Sequence, residues 1–167
     1  MHPLKSEPVS SRLLIAPGVF VYFDSSDWPL LSKYRWRPMV GKYTTYAVAF
    51  TVRDQNITMH RLLLGAKGHI QVDHADGDGL NNRRSNIRLC TRSQNNMNSR
   101  KSTRGDATFK GVCRLPRGKW VATIAKDGQT VNLGSFGTEI EAAKQYDRAA
   151  RLMFGKFART NALLGLL

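Results

Sequence analysis

The chain has 167 residues, room for one ordinary domain or two small ones, and 41% of them are hydrophobic, enough to bury a core. Its formal charge of +14 points to a polyanionic partner, nucleic acid ahead of an anionic membrane surface. Two isolated cysteines, Cys90 and Cys113, argue against a disulfide framework or a structural zinc site, and no apolar run is long enough to span a bilayer.

The first ten residues hold Pro3 and Pro8 and no apolar signal core, so a soluble, reducing, intracellular setting is expected. Residues 13–64 read as short strands. Val19-Phe20-Val21-Tyr22-Phe23 ends at the turn-prone Asp24-Ser25-Ser26-Asp27. Tyr43–Val52 is β-rich, with Tyr46, Val48 and Phe50 alternating on one face. Ile57–Leu62 follows a turn at Asp54-Gln55-Asn56 as a further strand. Trp28, Tyr34 and Trp36 are expected in the core, where single aromatics of strand-rich segments pack.

Residues 70–98 read as strand, loop, strand, helix. Ile70–Asp73 is the first strand and Ile87-Arg88-Leu89 the second, with Gly77, Gly79, Asn81 and Asn82 in the loop between them. Thr91 offers an N-cap, with Gln94 at capping-box spacing. Residues 101–108, polar and almost free of apolar side chains, read as a linker. From Arg83 to Arg104 there are seven basic residues and no acidic one, a run that beside a metal site suits phosphate tracking by Arg83, Arg84, Arg88, Arg92, Arg100 and Lys101.

Residues 109–161 form a second unit. Three short strands, 111–114, 120–124 and 130–133, are separated by turns at Pro116–Gly118 and Asp127-Gly128. A helix follows from about Thr138, capped by Thr138 and Glu141, with Ala142, Ala143, Tyr146, Ala149, Ala150 and Met153 on one face and Gly155 as its stop.

The chemistry concentrates at Asp73-His74, Asn86 and Asn95. A carboxylate and an amide oxygen suit Mg²⁺ or Mn²⁺ better than zinc, and a histidine titrates in the range needed to take a proton from water. Neighbours on a regular strand point to opposite faces, so Asp73 and His74 share one site only if the strand gives way to loop between them. An EF-hand reading starting at Asp76 fails, because Leu80 and Ile87 stand at ligand positions.

Val72-Asp73-His74-Ala75-Asp76-Gly77-Asp78, Asn81-Asn82, Asn86-Ile87-Arg88 and Asn95 together resemble the HNH nucleases of the phage and intron-encoded homing-endonuclease branch. That resemblance implies a ββα-metal centre, His74 as general base, Asp73 and Asn95 as metal ligands, and Asn86 tying down the loop beneath the histidine. Met59-His60-Arg61-Leu62 also resembles this branch, with Arg61 as a phosphate contact. Further on, Gly111-Val112, Gly118-Lys119-Trp120-Val121-Ala122, Leu133-Gly134-Ser135-Phe136, Glu141-Ala142-Ala143 and Tyr146–Ala150 resemble the plant ethylene-response-factor (Apetala-type) DNA-binding domain. This implies a three-stranded sheet in the major groove, with Arg114, Arg117, Lys119, Trp120 and Lys126 on or beside it. Trp120 is equally open to core packing. Cys113 and Leu115 stand where the plant domains carry contact arginines, and Arg117 replaces a tryptophan, so no sequence preference carries over.

The resulting expectation is an α+β protein. A β-rich part with an HNH centre runs to about residue 100, and residues 109–167 form a small antiparallel sheet packed on one helix. It would act on double-stranded DNA with Mg²⁺ or Mn²⁺, without a membrane, as a monomer or weak dimer in the cytoplasm of a bacterial or phage-infected cell. The rival is a non-catalytic DNA-binding regulator with a degenerate nuclease fold.

Overall fold

In the computed structural model, which describes residues 10–50, 56–101 and 107–167, the chain divides after Thr91 into two units. The first begins with a hairpin of β1 (Ser10–Ala16) and β2 (Val19–Asp24), antiparallel and bulged between Leu14 and Ala16. A single 3-10 turn, Ser25–Asp27, leads into the short helix α1 (Trp28–Leu31), with Pro29 in its first turn, where a missing N–H leaves no bond unmade. An antiparallel sheet of β3 (Arg37–Val40), β4 (Thr45–Phe50) and β5 (Asn56–Thr58) follows, with β4 in the middle. Helix α2 (Met59–Leu64) comes next, and then the antiparallel pair β6 (Gln71–His74) and β7 (Ile87–Cys90). Val21, Phe23, Leu31, Trp36, Ala47, Ala49, Met59, Leu63 and Ile87 form the core of this unit.

Four expectations change here. The strand predicted over Ile57–Leu62 stops at Thr58, whose extended backbone precedes α2. Met59 and Leu63, four residues apart, both face the core, and Gly65 ends the helix at φ 60 in the left-handed region. In β4, burial is not confined to one face: Ala47, Val48 and Ala49 are all buried, while Phe50 is exposed beneath the Arg37 guanidinium, 3.6 Å from its ring centroid. Thr51, Val52, Asp54 and Gln55 of the predicted strand and turn lie outside the described residues. Trp36 is buried and Tyr34 packs against the core, but Trp28 is 45% exposed and stacks on Phe23. Finally, β6 does not break between Asp73 and His74; it runs through both, pairing Asp73 with Arg88 and His74 with Ile87, and it ends at His74, so the strand gives way to loop after the pair and the Asp73 charge still reaches the imidazole.

The second unit starts with α3 (Arg92–Met97). Of the predicted linker, residues 102–106 lie outside the described residues. Strands β8 (Val112–Arg114), β9 (Trp120–Lys126) and β10 (Gln129–Phe136) form an antiparallel sheet with β9 central. Asp127 and Gly128 both adopt positive φ between β9 and β10, the geometry of a hairpin turn that follows the sheet's twist. Helix α4 (Glu139–Phe154) packs on the sheet and starts with a full capping box: the Glu141 N–H donates to the Thr138 hydroxyl, and the Glu141 carboxylate accepts from the Thr138 N–H. Ala142 and Ala143 are fully buried against Val112 and Ala122. The end of the chain returns to α4, where the buried Asp147 carboxylate accepts from the Asn161 N–H at 2.7 Å, its side-chain amide at 2.9 Å and the Ala162 N–H at 3.0 Å. Among the described residues, no helix is long and apolar enough to cross a membrane.

Candidate active site

The loop between β6 and β7 is fixed to the rest of its unit by backbone. Tyr22 in β2 donates to the Leu80 carbonyl at 2.8 Å and accepts from the Asn82 N–H at 2.7 Å. Gly79 donates to the Thr44 hydroxyl at 2.8 Å and lies so close to β4 that a Cβ there would meet the Thr45 carbonyl at 2.5 Å and the Tyr46 ring at 2.7 Å. Only glycine permits that approach.

Asn86 closes the loop on itself. Its side-chain amide donates to the Asp76 carboxylate at 2.9 Å and the Asn81 carbonyl at 2.8 Å, its oxygen accepts from the Asp76 N–H, and its carbonyl accepts from Ala75. Burial alone would raise the Asp76 pKa. Hydrogen bonds from the Asp78 backbone, Asn81 and Asn86, with the charge of His74, outweigh it and hold the carboxyl below its usual value.

His74 is buried at the end of β6, with Asn82 Oδ1 3.5 Å from its Nε2 and Asn82 itself fully buried. Burial pulls the His74 pKa down; Asn82 and the carboxylates of Asp76, Asp73 and Asp78 oppose this without reversing it. The imidazole therefore reaches neutral pH unprotonated, the form a general base requires. Two further rings surround it, with centroids 4.9 Å away for His60 and 6.0 Å for Tyr46.

Sequence reasoning passed over His60. It lies on the buried side of α2, its Nε2 is 3.1 Å from the Thr58 hydroxyl, and its Nδ1 is buried with no hydrogen-bond partner among the described residues. Burial first, then His74 and Arg61, pushes its pKa down to about 3. Reading Met59–Leu63 at helical spacing, with Thr58 before it, would have set the ring inside.

Asp73 is buried, and its carboxylate is engaged. Arg88 donates to Oδ2 from Nε at 2.8 Å and from a terminal nitrogen at 2.6 Å. Among the described residues, no three His, Cys, Asp or Glu side chains gather as a ready-made metal cage. An oxygen set of one carboxylate and one amide still fits Mg²⁺ or Mn²⁺, which keep water and substrate phosphate as their other ligands. Asn95 sits on α3, in the second unit.

Several arginines assigned to phosphate have internal partners, which charge patterning could not reveal. Arg61 donates to the carbonyls of Ile70, Ala66 and Gly68 and so holds the α2–β6 loop. Arg84 makes a bidentate pair with Asp27, while its backbone N–H donates to Asp24. Arg83 donates to Asn81 and lies over the Tyr22 ring. Arg88 belongs to Asp73. Arg92 and Arg100 are exposed and Lys101 is half-buried. On the second unit, Arg114, Arg117, Lys119 and Lys126 are all exposed. The Lys126 ammonium donates to the Met153 carbonyl at 3.3 Å. Trp120 is half-buried against the core of the sheet and helix, with the Arg114 guanidinium 5.8 Å from its ring centroid.

The chain matches the family model for an HNH endonuclease over residues 66–97 and that for an AP2 domain over residues 108–156. It is similar to a protein of Acanthamoeba polyphaga mimivirus described as an uncharacterized HNH endonuclease, 34% identical over 150 residues, covering 87% of this chain and 76% of that protein. It is also similar to dehydration-responsive element-binding protein 2A of Oryza sativa subsp. indica, 47% identical over 58 residues, or 34% of this chain and 21% of that protein. An ethylene-responsive transcription factor of Arabidopsis thaliana is 44% identical over 66 residues, 38% of this chain and 26% of that protein. The chain thus spans about a quarter or less of these plant relatives. Among solved structures there is no significant match.

Proposed function

Because the chain belongs to the HNH endonuclease family and carries an AP2 domain, we propose that it hydrolyses phosphodiester bonds in double-stranded DNA and that its C-terminal part holds it on its site. The nuclease part would run to about residue 100 and the DNA-binding part from 109 to 167, joined by residues 101–108. The observation that carries this reading is His74, a buried imidazole at the end of β6, with Asn82 Oδ1 3.5 Å from its Nε2, at the edge of a loop that Asn86 closes. His74 takes the proton of the attacking water. Asn86 keeps the loop in register beneath it. Asp73 and Asn95 are the residues that would hold Mg²⁺ or Mn²⁺. When bound, such an ion supplies charge stabilisation at the phosphate and at the leaving 3′ oxygen. In the DNA-binding part, Arg114, Arg117 and Lys119 meet the duplex, with the β8–β10 sheet facing the major groove.

The test is incubation with supercoiled plasmid, with and without Mg²⁺, followed by separation of nicked and linear forms. Cleavage should need the metal, and undiminished cleavage in excess chelator would overturn the reading. His74→Ala should lower turnover by about 10²–10⁴-fold, the range for removing a general base, with DNA binding nearly intact.

One observation favours a second reading, a DNA-binding regulator without catalysis: the Arg88 guanidinium already neutralises Asp73. The same assay separates the two, since a regulator would bind the plasmid and leave it supercoiled at every Mg²⁺ concentration.

A further inference from the structure

Helix α3 is too short to hold itself; six residues lie far below the length at which an isolated helix is stable in water. Its last carbonyls need partners from elsewhere. At its first turn, the Ser93 hydroxyl donates to the Asp127 carboxylate at 2.6 Å, in the turn between β9 and β10. Beyond its last turn, the Lys110 ammonium donates to the carbonyls of Met97 at 3.0 Å, Ser99 at 2.6 Å and Arg159 at 3.3 Å. Three donors thus meet three carbonyls, two of them at the end of α3 and the third in the chain that follows α4. The acid stands at the helix N-terminus and the cation at its C-terminus, the arrangement that complements the helix dipole. Lys110 is itself held: its N–H donates to Asn161 Oδ1 at 2.6 Å, Asn161 Nδ2 donates to its carbonyl, and Asn161 is bonded to Asp147 of α4.

We propose that Lys110 and Ser93 are positioning residues for Asn95, so that the DNA-binding unit sets the placement of one proposed metal ligand of the nuclease. This rests on the reading of Asn95 as a ligand. Within the second unit, hydrogen bonds join the helix bearing Asn95 to the sheet proposed to read DNA, so loosening those bonds should weaken metal binding.

The experiment uses the full chain and compares wild type with Lys110→Met, Lys110→Arg, Ser93→Ala and Asn95→Ala. Amide hydrogen exchange at residues 95–99, Mn²⁺ affinity by titration calorimetry, DNA affinity without metal, and plasmid cleavage against Mg²⁺ concentration are measured. Lys110→Met should speed α3 exchange at least about tenfold and weaken Mn²⁺ binding about tenfold, the lower bound for losing support around a metal ligand. DNA affinity should stay within about twofold, and Lys110→Arg should restore part of the metal affinity because it keeps the cation and its donors. Ser93→Ala should weaken Mn²⁺ binding in the same direction by a smaller factor. If Lys110→Met loses DNA binding through misfolding, Ser93→Ala decides, because that half-buried hydroxyl has no part in the core. Wild-type exchange and wild-type Mn²⁺ affinity in Ser93→Ala and in folded Lys110→Met overturn the proposal. If Asn95→Ala itself binds Mn²⁺ and cleaves like wild type, the ligand assignment has failed instead, and the proposal with it.

Discussion

At the scale of single residues, the centre is set by which charges are neutralised inside the protein. Asp73 is buried with Arg88 as its counter-charge, and removing one partner of such a pair leaves a charge in a poor solvent. Arg88→Met should therefore destabilise the chain by about 3 kcal/mol in thermal unfolding without metal. If Asp73 is a metal ligand, adding Mg²⁺ should then raise the melting temperature of the variant more than that of wild type, because the ion becomes the carboxylate's main counter-charge. An equal Mg²⁺ response in both proteins would detach Asp73 from metal binding. His60 gives a pH prediction. Its folded pKa, about 3, lies below the unfolded value near 6.5, so the unfolded chain holds that proton more tightly between these limits. Stability is full above pH 6.5 and falls as pH drops through that window; His60→Phe, which keeps a ring on His74, should flatten the fall in urea titrations from pH 7 to 4. Asp73, His74, Asn86 and Asn95 could be proposed together from sequence because they fall in one short ordered motif. Arg84 and Arg88 were read as phosphate contacts because charge patterning sees only local sequence; Asp27, 57 residues from Arg84, is its partner only after folding. Separation along the chain likewise hid the ring contact between His60 and His74.

At the scale of elements, turns and caps were legible and the strand-to-helix switch was not. Asp127-Gly128, Thr138 with Glu141, and the alanine face of α4 act through neighbours a few positions away, so their chemistry can be read directly from sequence order. Helix α2 is six residues long, too few for a 3.6-residue period to stand out from the strand before it. The sharpest constraint on an element lies at Gly111, just before β8. Its φ is +73°, and a Cβ there would meet the Tyr146 ring of α4 at 2.0 Å. Gly111→Ala should therefore destabilise the second unit by about 2–4 kcal/mol, left-handed backbone strain adding to an overpacked contact. Gly118→Ala gives the comparison, since its φ of +79° carries the strain while nothing lies within 4 Å. It should lose only about 1–2 kcal/mol by denaturant melting. Equal losses in the two variants would mean that α4 shifts freely to admit the methyl group.

At the scale of the whole molecule, charge and domain order make one prediction about DNA. The chain carries 26 basic and 12 acidic residues, and among the described residues Arg84 pairs with Asp27 and Arg88 with Asp73. Deleting everything after Arg104 would not test the C-terminal part cleanly, because α3 would lose Lys110 and Asp127 together with the sheet. The cleaner change leaves every buried bond in place. Arg114, Arg117 and Lys119 are exposed around the β8–β9 hairpin, and replacing all three with alanine removes charge without touching the core. Removing one side chain that neutralises a phosphate lowers the slope of log affinity against log salt by about 0.9, so the triple variant should flatten the slope by up to about 2.7 and bind its site more weakly at low salt. Metal-dependent cleavage of non-specific plasmid should continue, because His74, Asp73 and Asn95 are untouched. Measured as fluorescence anisotropy across a salt series, an unchanged slope with unchanged affinity would place the DNA-binding surface elsewhere. Arg92, Arg100 and Lys101 would then be the next residues to neutralise.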